Sequence, residues 1–146
     1  MIETKYQYKT NLKKRFFASF IDYSLIFSFS IIYIKMYGSE TGDGTLAVQG
    51  IMALPPMIVW FIYFVLIETF YSATLGHKAL NLLVLTENRQ DIGLEEAFKR
   101  HLLDPIDFFI YAIPAIIAIK NTEKKQRLGD LWAKTIVVDT TDVEQY

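Results

Sequence analysis

Two long apolar stretches dominate the pattern of the chain. The first covers residues 16–34, opens behind Arg15 and holds one charged side chain, Asp22. As a helix rising about 1.5 Å per residue it reaches roughly 28 Å, close to the hydrocarbon thickness of a bilayer. The second covers residues 51–71, again with one charge, Glu68. Pro55 and Pro56 stand near its start, where they kink the helix or mark its true beginning. A helix at a soluble protein's surface carries a broad polar face, and neither stretch has one. Both are predicted to be transmembrane helices.

Between them, residues 35–50 hold four glycines, Glu40, Asp43 and a single cation, Lys35. They read as a flexible, cation-poor turn. After the second stretch, residues 72–78 form a turn and residues 81–85 a short strand. Residues 86–93 are a polar hairpin-like loop. Leu94, Ala97, Phe98 and Leu102 have the spacing of an amphipathic helix lying at an interface. A third apolar piece, residues 106–119, carries Asp107 near its start and Pro114 in its middle. Behind it come Lys120, Lys124, Lys125, Arg127 and Lys134. A full crossing here would carry this cationic tail outside, against the positive-inside rule. The expectation is a re-entrant or broken hairpin bent at Pro114, with a third full span as the alternative. The β-branched residues 134–138 are expected to pair with residues 81–85. The fold class predicted is therefore α-helical membrane protein: two transmembrane helices, a broken third hydrophobic hairpin or span, and a small cytoplasmic two-stranded β element. The 146 residues make one domain, with a basic segment at 1–14 and a polar tail at 139–146. No internal repeat stands out.

Composition agrees: 52% of residues are hydrophobic, 15% are aromatic, and mean hydropathy is +0.23. A net charge of −1 points to no nucleic-acid partner. Without cysteine there is no disulfide, thiolate ligand or thiol nucleophile. His77 and His101 are the only histidines, so no histidine-rich metal site is expected, and both read as interfacial polar residues. The first apolar run is too long for a signal-peptide core and lacks a small-residue cleavage site, so it is read as retained. Lysines at 5, 9, 13 and 14 place residues 1–15 in the cytoplasm and the 35–50 loop outside. The expected location is the cytoplasmic (inner) membrane, multi-pass, with the lipid bilayer and a homo-oligomer or other membrane subunits as partners.

A carboxylate inside a span costs about 2.5–3.5 kcal/mol on insertion scales, so Asp22 should face protein or water. Arg15 and Asp22, two helical turns apart, share a face with Ala18 and Ser19 between them. The charged set is Arg15, Asp22, Glu68, Arg100, Asp107 and Asp130, with Asp104 nearby as the charged entry of a helix. In this set Arg15 or Arg100 pairs with Asp22 and Asp130. Arginine's rigid fork suits such pairing. One reading is a structural clasp; the other is an ion or proton site, because carboxylates outnumber nearby cations. Catalysis has little support. Gly76, His77 and Lys78 lack the full phosphate-loop spacing, and no nucleophile-elbow spacing occurs. No enzyme activity, cofactor or metal is expected.

These residues resemble the RDD family of small membrane proteins. An arginine opening the first span matches Arg15. An aspartate within that span matches Asp22, and an aspartate in a Leu-Gly-Asp element matches Asp130. Thr74, Leu75 and Gly76, with a lysine following, match an intermediate motif, as do Arg100 and Asp107. The resemblance runs from about residue 11 to 138. Where the family often has Gly-Lys-Arg, this chain has Gly76, His77 and Lys78. Where it often has Ala-Gly-Thr, this chain has Ala133, Lys134 and Thr135. The resemblance implies an integral membrane architecture. Because two helices and a hairpin enclose no polar pathway alone, the role expected is an interaction or assembly subunit, with transport of a small cation, proton or solute by an oligomer as the alternative.

Overall fold

The computed structural model describes residues 8–142, so the first half of the basic N-terminal segment and the last four residues of the polar tail lie outside the described residues. Helix α1 (Leu12–Tyr37) takes in the whole first apolar stretch. Its buried residues are Arg15, Ala18 and Asp22, a single narrow stripe. Its remaining faces show Phe16, Phe17, Phe20, Phe27 and Ile31 outward. Gly38 ends the helix, and strands β1 (Ser39–Glu40) and β2 (Leu46–Ala47) pair antiparallel. The loop expected to be a flexible turn is thus a hairpin. Its tip is tied by Asp43, which accepts hydrogen bonds from the Thr41 hydroxyl (2.5 Å) and the Thr45 hydroxyl (2.8 Å).

The second apolar stretch is one continuous helical rod, Gly50–Tyr71. A 3-10 turn (Gly50–Ala53) leads into α2 (Leu54–Trp60), a π-helical stretch (Phe61–Leu66) and α3 (Ile67–Tyr71). The two prolines sit in the first turn of α2, where a missing N–H breaks no helical bond. They mark the true helix start. The wider π turn brings three consecutive residues, Tyr63, Phe64 and Val65, into the interior. A regular α-helix turns successive side chains about 100° apart and would send one of them outward.

Short helix α4 (Leu75–Ala79) is capped by the Thr74 hydroxyl and lies against α1. A Cβ on Gly76 would sit 2.2 Å from the Ala18 carbonyl oxygen, so only glycine permits this approach. Strand β3 (Leu82–Thr86) follows, then α5 (Leu94–Leu102) and α6 (Asp104–Asp107). Helix α7 (Phe109–Asn121) is bent 119° away from the α5–α6 pair. The bend is not at the proline. It lies at Phe108 to Ala112, where Ile110, Tyr111 and Ala112 all adopt left-handed backbone angles. Pro114 falls just after them, in the first turn of the resumed helix, where its fixed φ fits. Helix α8 (Leu128–Ala133) leads into β4 (Thr135–Asp139), which pairs antiparallel with β3 from Leu82↔Asp139 to Thr86↔Thr135. The expected strand pair is present, shifted by one residue at its ends.

The core gathers Ala18, Val65, Leu82, Val84, Ile92, Ala97 and Val137, with Trp60, Phe61 and Leu80 against it. It therefore sits where the start of α1, the far half of the second rod and the β3–β4 pair meet. Both rods are long and apolar enough to cross a membrane, yet only 11% and 17% of their most apolar 18-residue windows are buried within the chain.

Gly76→Ala should lower stability by about 1–3 kcal/mol, the cost of overpacking a tight contact. Gly42→Ala, in open space, should change it by less than about 0.5 kcal/mol. Thermal unfolding of the purified protein in detergent measures both.

Candidate functional site: a buried network of arginines and carboxylates

Three arginines and five carboxylates are buried together beside the core: Arg15, Arg100 and Arg127 with Asp22, Glu68, Asp104, Asp107 and Asp130. They arrive on five elements, α1 (Arg15, Asp22), α3 (Glu68), α5 (Arg100), α6 (Asp104, Asp107) and the start of α8 (Arg127, Asp130), and the local sequence explains how.

Asp130 is the hub. It lies in the first turn of α8 and accepts the Arg127 backbone N–H at 3.1 Å, a capping bond that fixes its rotamer. One of its oxygens takes the Arg15 guanidinium at 2.5 Å, and the other takes Arg100. Arg15 also donates to the Lys125 carbonyl at 2.9 Å. Arg100 is wholly buried; its Nε and Nη2 reach Glu68 at 3.1 and 3.3 Å, and Nη1 also lies 3.3 Å from the Thr135 hydroxyl. Burial raises the Asp130 pKa, but Arg100, Arg15 and Arg127 outweigh it and hold the group far below the usual carboxylate range. The same carboxylates drive Arg127 upward despite its burial.

A second branch runs through His101. Its Nε2 lies 3.0 Å from Glu68 and its Nδ1 2.7 Å from Asp104. Asp104 also accepts the Tyr23 hydroxyl at 2.5 Å and pairs with Arg127. Arg127 lies over the Phe108 ring, 5.5 Å from its centroid. Asp107 accepts the backbone N–H groups of Leu128 and Gly129, both at 2.9 Å, at the N-terminus of α8. Chain leaving at Asp107 thus returns to it twenty or so residues later.

Asp22 stands apart from the arginines. It accepts the Tyr63 hydroxyl (2.6 Å), the Thr74 hydroxyl (2.6 Å) and the Gly76 N–H (2.7 Å). The expected Arg15–Asp22 or Arg100–Asp22 pairing is corrected here. Both guanidiniums reach Asp130 instead, one on each carboxylate oxygen, and neutral donors from Tyr63 and the start of α4 answer Asp22. His77 Nδ1 lies 2.8 Å from the Thr74 oxygen. The Thr74 hydroxyl proton is given to Asp22, so Nδ1 must donate to Thr74. Burial lowers the His77 pKa more than Asp22 and Glu68 raise it, so the ring is neutral with its proton on Nδ1.

Of the six residues singled out in the sequence, five make one contiguous ion-pair cluster: Arg15, Glu68, Arg100, Asp107 and Asp130. Arg127 links the last of these, with Nη1 3.7 Å from Asp107 and Nε 3.7 Å from Asp130. Arg127 itself read as part of a cationic tail, and His101 and Asp104 as interfacial; all three are buried within the network. The available signal was the i, i+3 spacing of His101 with Asp104 and of Arg127 with Asp130. Tyr23, Tyr63 and Thr74 carried no charge to draw notice. Among the described residues every buried side-chain nitrogen and oxygen has a partner, and no group of three or more acidic or histidine side chains is arranged to hold a metal ion.

Asp130→Asn should cost roughly 3–5 kcal/mol, because two guanidiniums are left buried without their shared charge. Acid should act the same way. With its pKa depressed in the fold, Asp130 contributes stability that is complete above the unfolded-state value near 4 and is lost as pH falls below it. An unfolding titration from pH 7 to pH 3 should therefore show a smaller acid-dependent loss in Asp130→Asn than in the native chain.

A search of curated proteins finds no match, and neither does a search of solved structures. The RDD family profile matches residues 9–134, which covers α1 through α8 and so every member of the network. With that match spanning most of the sequence, the chain belongs to the RDD family.

Proposed function

We propose that this is an integral protein of the cytoplasmic membrane that acts as an interaction or assembly subunit, with the arginine–carboxylate network as its internal clasp. Two rods of sufficient length and apolarity, their bare aromatic and aliphatic faces, and family membership support insertion. Charge supports the orientation. Lys13, Lys14, Lys78, Lys120, Lys124 and Lys125 lie toward the network end, and the hairpin at the opposite end offers Glu40 and Asp43. The positive-inside rule then puts the N-terminus and the β3–β4 pair in the cytoplasm and the β1–β2 hairpin outside.

The observation that carries the clasp is saturation. Asp22 already holds three hydrogen bonds and Asp130 two guanidiniums, so neither offers a migrating ion an open position. Two rods and a bent segment also enclose no polar pathway, whereas their uncovered faces suit other membrane helices. The reading assigns no catalytic role and no cofactor. Transport by an oligomer is the second reading; the network's five carboxylates against its three arginines favour it.

Reconstituted vesicles measured for ²²Na⁺ and proton flux separate the two. The clasp predicts flux no greater than in empty vesicles, and an Asp22→Asn protein destabilised by about 1–3 kcal/mol through weakened charge-assisted bonds. Flux that vanishes in a fully folded Asp22→Asn protein would replace the clasp with the transport reading.

A further inference from the structure

We infer that the chain is two copies of one structural unit related by a two-fold axis, although residue identity along most of its length conceals it. Each unit begins with an arginine followed seven positions later by an aspartate: Arg15 and Asp22 in the first, Arg100 and Asp107 in the second. Each continues into an apolar excursion and returns at a Leu-Gly pair opening a short helix: Leu75 and Gly76 in α4, Leu128 and Gly129 in α8. Each ends in a five-residue strand, β3 or β4.

The contacts repeat as well. Asp22 accepts the Gly76 N–H at 2.7 Å, and Asp107 accepts the Gly129 N–H at 2.9 Å. Both glycines press on a carbonyl of the helix bearing their arginine. A Cβ on Gly76 would lie 2.2 Å from the Ala18 oxygen, and one on Gly129 2.5 Å from the Arg100 oxygen. The second contact falls nearer the arginine because α5 breaks at Leu103 and Pro105 before reaching Asp107.

The spacing from each Leu-Gly pair to its strand supplies an independent check: seven residues separate Leu75 from the start of β3 at Leu82, and seven separate Leu128 from the start of β4 at Thr135. From Thr74 to Thr86 the first unit maps onto Arg127 to Asp139 of the second at a constant separation of 53 residues. Applied to the observed pairing, this mapping turns Leu82↔Asp139 into Thr86↔Thr135, and both pairs are present. It turns Val84↔Val137 into itself. The two-fold axis passes through the Val84–Val137 pair.

Two consequences follow. First, residues 108–127 are the shortened counterpart of the whole excursion from α1 through α3. Both excursions leave from an aspartate and close back on it. This consequence rests on the membrane reading above: the segment dips in and returns on the side of the β3–β4 pair, with Tyr111, 95% exposed, near its turn. Second, the axis brings His77 onto Asp130. Arg15 crosses from the first unit to Asp130, so Arg100 is aimed from the second unit at the position of His77. Beside its pairing with Asp130 in its own unit, it finds Glu68 there instead, an acid supplied by the second rod. The two units thus differ in where the acid for the crossing arginine is stored.

The sharpest test moves that acid, in detergent and independently of any membrane. His77→Asp added to Glu68→Gln should raise the unfolding midpoint by about 5 °C over Glu68→Gln alone, and His77→Asn should not. If Glu68→Gln fails to fold, His77→Asp should restore folding. No gain from His77→Asp, or an equal gain from His77→Asn, overturns the two-fold inference. The topological consequence is read separately in vesicles shown by alkaline carbonate extraction to hold the protein. The chain has no cysteine, so single cysteines report cleanly. Cysteines replacing Glu123 and Thr141 should react with an impermeant maleimide from one side, and one replacing Gly42 from the other. Glu123 labelled together with Gly42 would mean a third crossing and would overturn the equivalence of the two excursions. Loss of the protein on carbonate extraction would count against insertion alone and leave the detergent result standing.

Discussion

One carboxylate joined to two guanidiniums holds this molecule together. Asp130 takes Arg15 from the first helix and Arg100 from the fifth, two elements 85 residues apart in sequence. Each of these charges alone would be costly to bury. A desolvated ion loses several kcal/mol of hydration that only close, well-directed partners return. The network meets this demand by adding Glu68, His101, Asp104 and Arg127 in alternation, so that each charge has an opposite neighbour within hydrogen-bonding reach. Aspartates left over from the pairing, 22 and 107, are answered by hydroxyls and by backbone N–H groups at the starts of α4 and α8.

That arrangement determines where everything else goes. Helix α1 contributes only the stripe Arg15, Ala18 and Asp22 to the interior, so its other faces remain bare. The π-helical stretch of the second rod turns Tyr63 onto Asp22 and keeps Phe64 and Val65 inside, one turn ahead of Glu68. A local departure from α geometry thus serves both the apolar core and the polar network. The β3–β4 pair closes the base, and its register brings α4 and α8, with their Leu-Gly starts, to opposite sides of one axis.

The apolar surface is the complement of the polar interior. Phenylalanines and isoleucines line α1 and the second rod, and the charges are drawn to one end. In a soluble protein this distribution would be inverted. Within a bilayer it is the stable one, since lipid chains cover the apolar faces and the network removes its charges from them.

Much of this was legible along the chain. Long apolar runs with one acid apiece determine two rods by length and hydropathy alone, and the proline pair marks where the second begins. Consecutive β-branched residues at 135–138 and an apolar run at 82–85 foretell the strand pair. Arginine, aspartate and glutamate inside or beside apolar runs announce a buried network, because nothing else makes them tolerable there. Which charge meets which was decided only in three dimensions. Asp22 and Arg15 share a helix face, and proximity in sequence suggested a pair. The carboxylate of Asp130, reachable by two forks at once, offered the lower energy. The bend before Pro114 depends on left-handed angles at Ile110 to Ala112, for which those side chains have no local preference. The repeated unit stayed hidden for a related reason. Two-fold equivalence resides in backbone approach and in the spacing of short elements, and these constrain only an arginine, an aspartate and a glycine in each half while leaving the side chains between them free to differ.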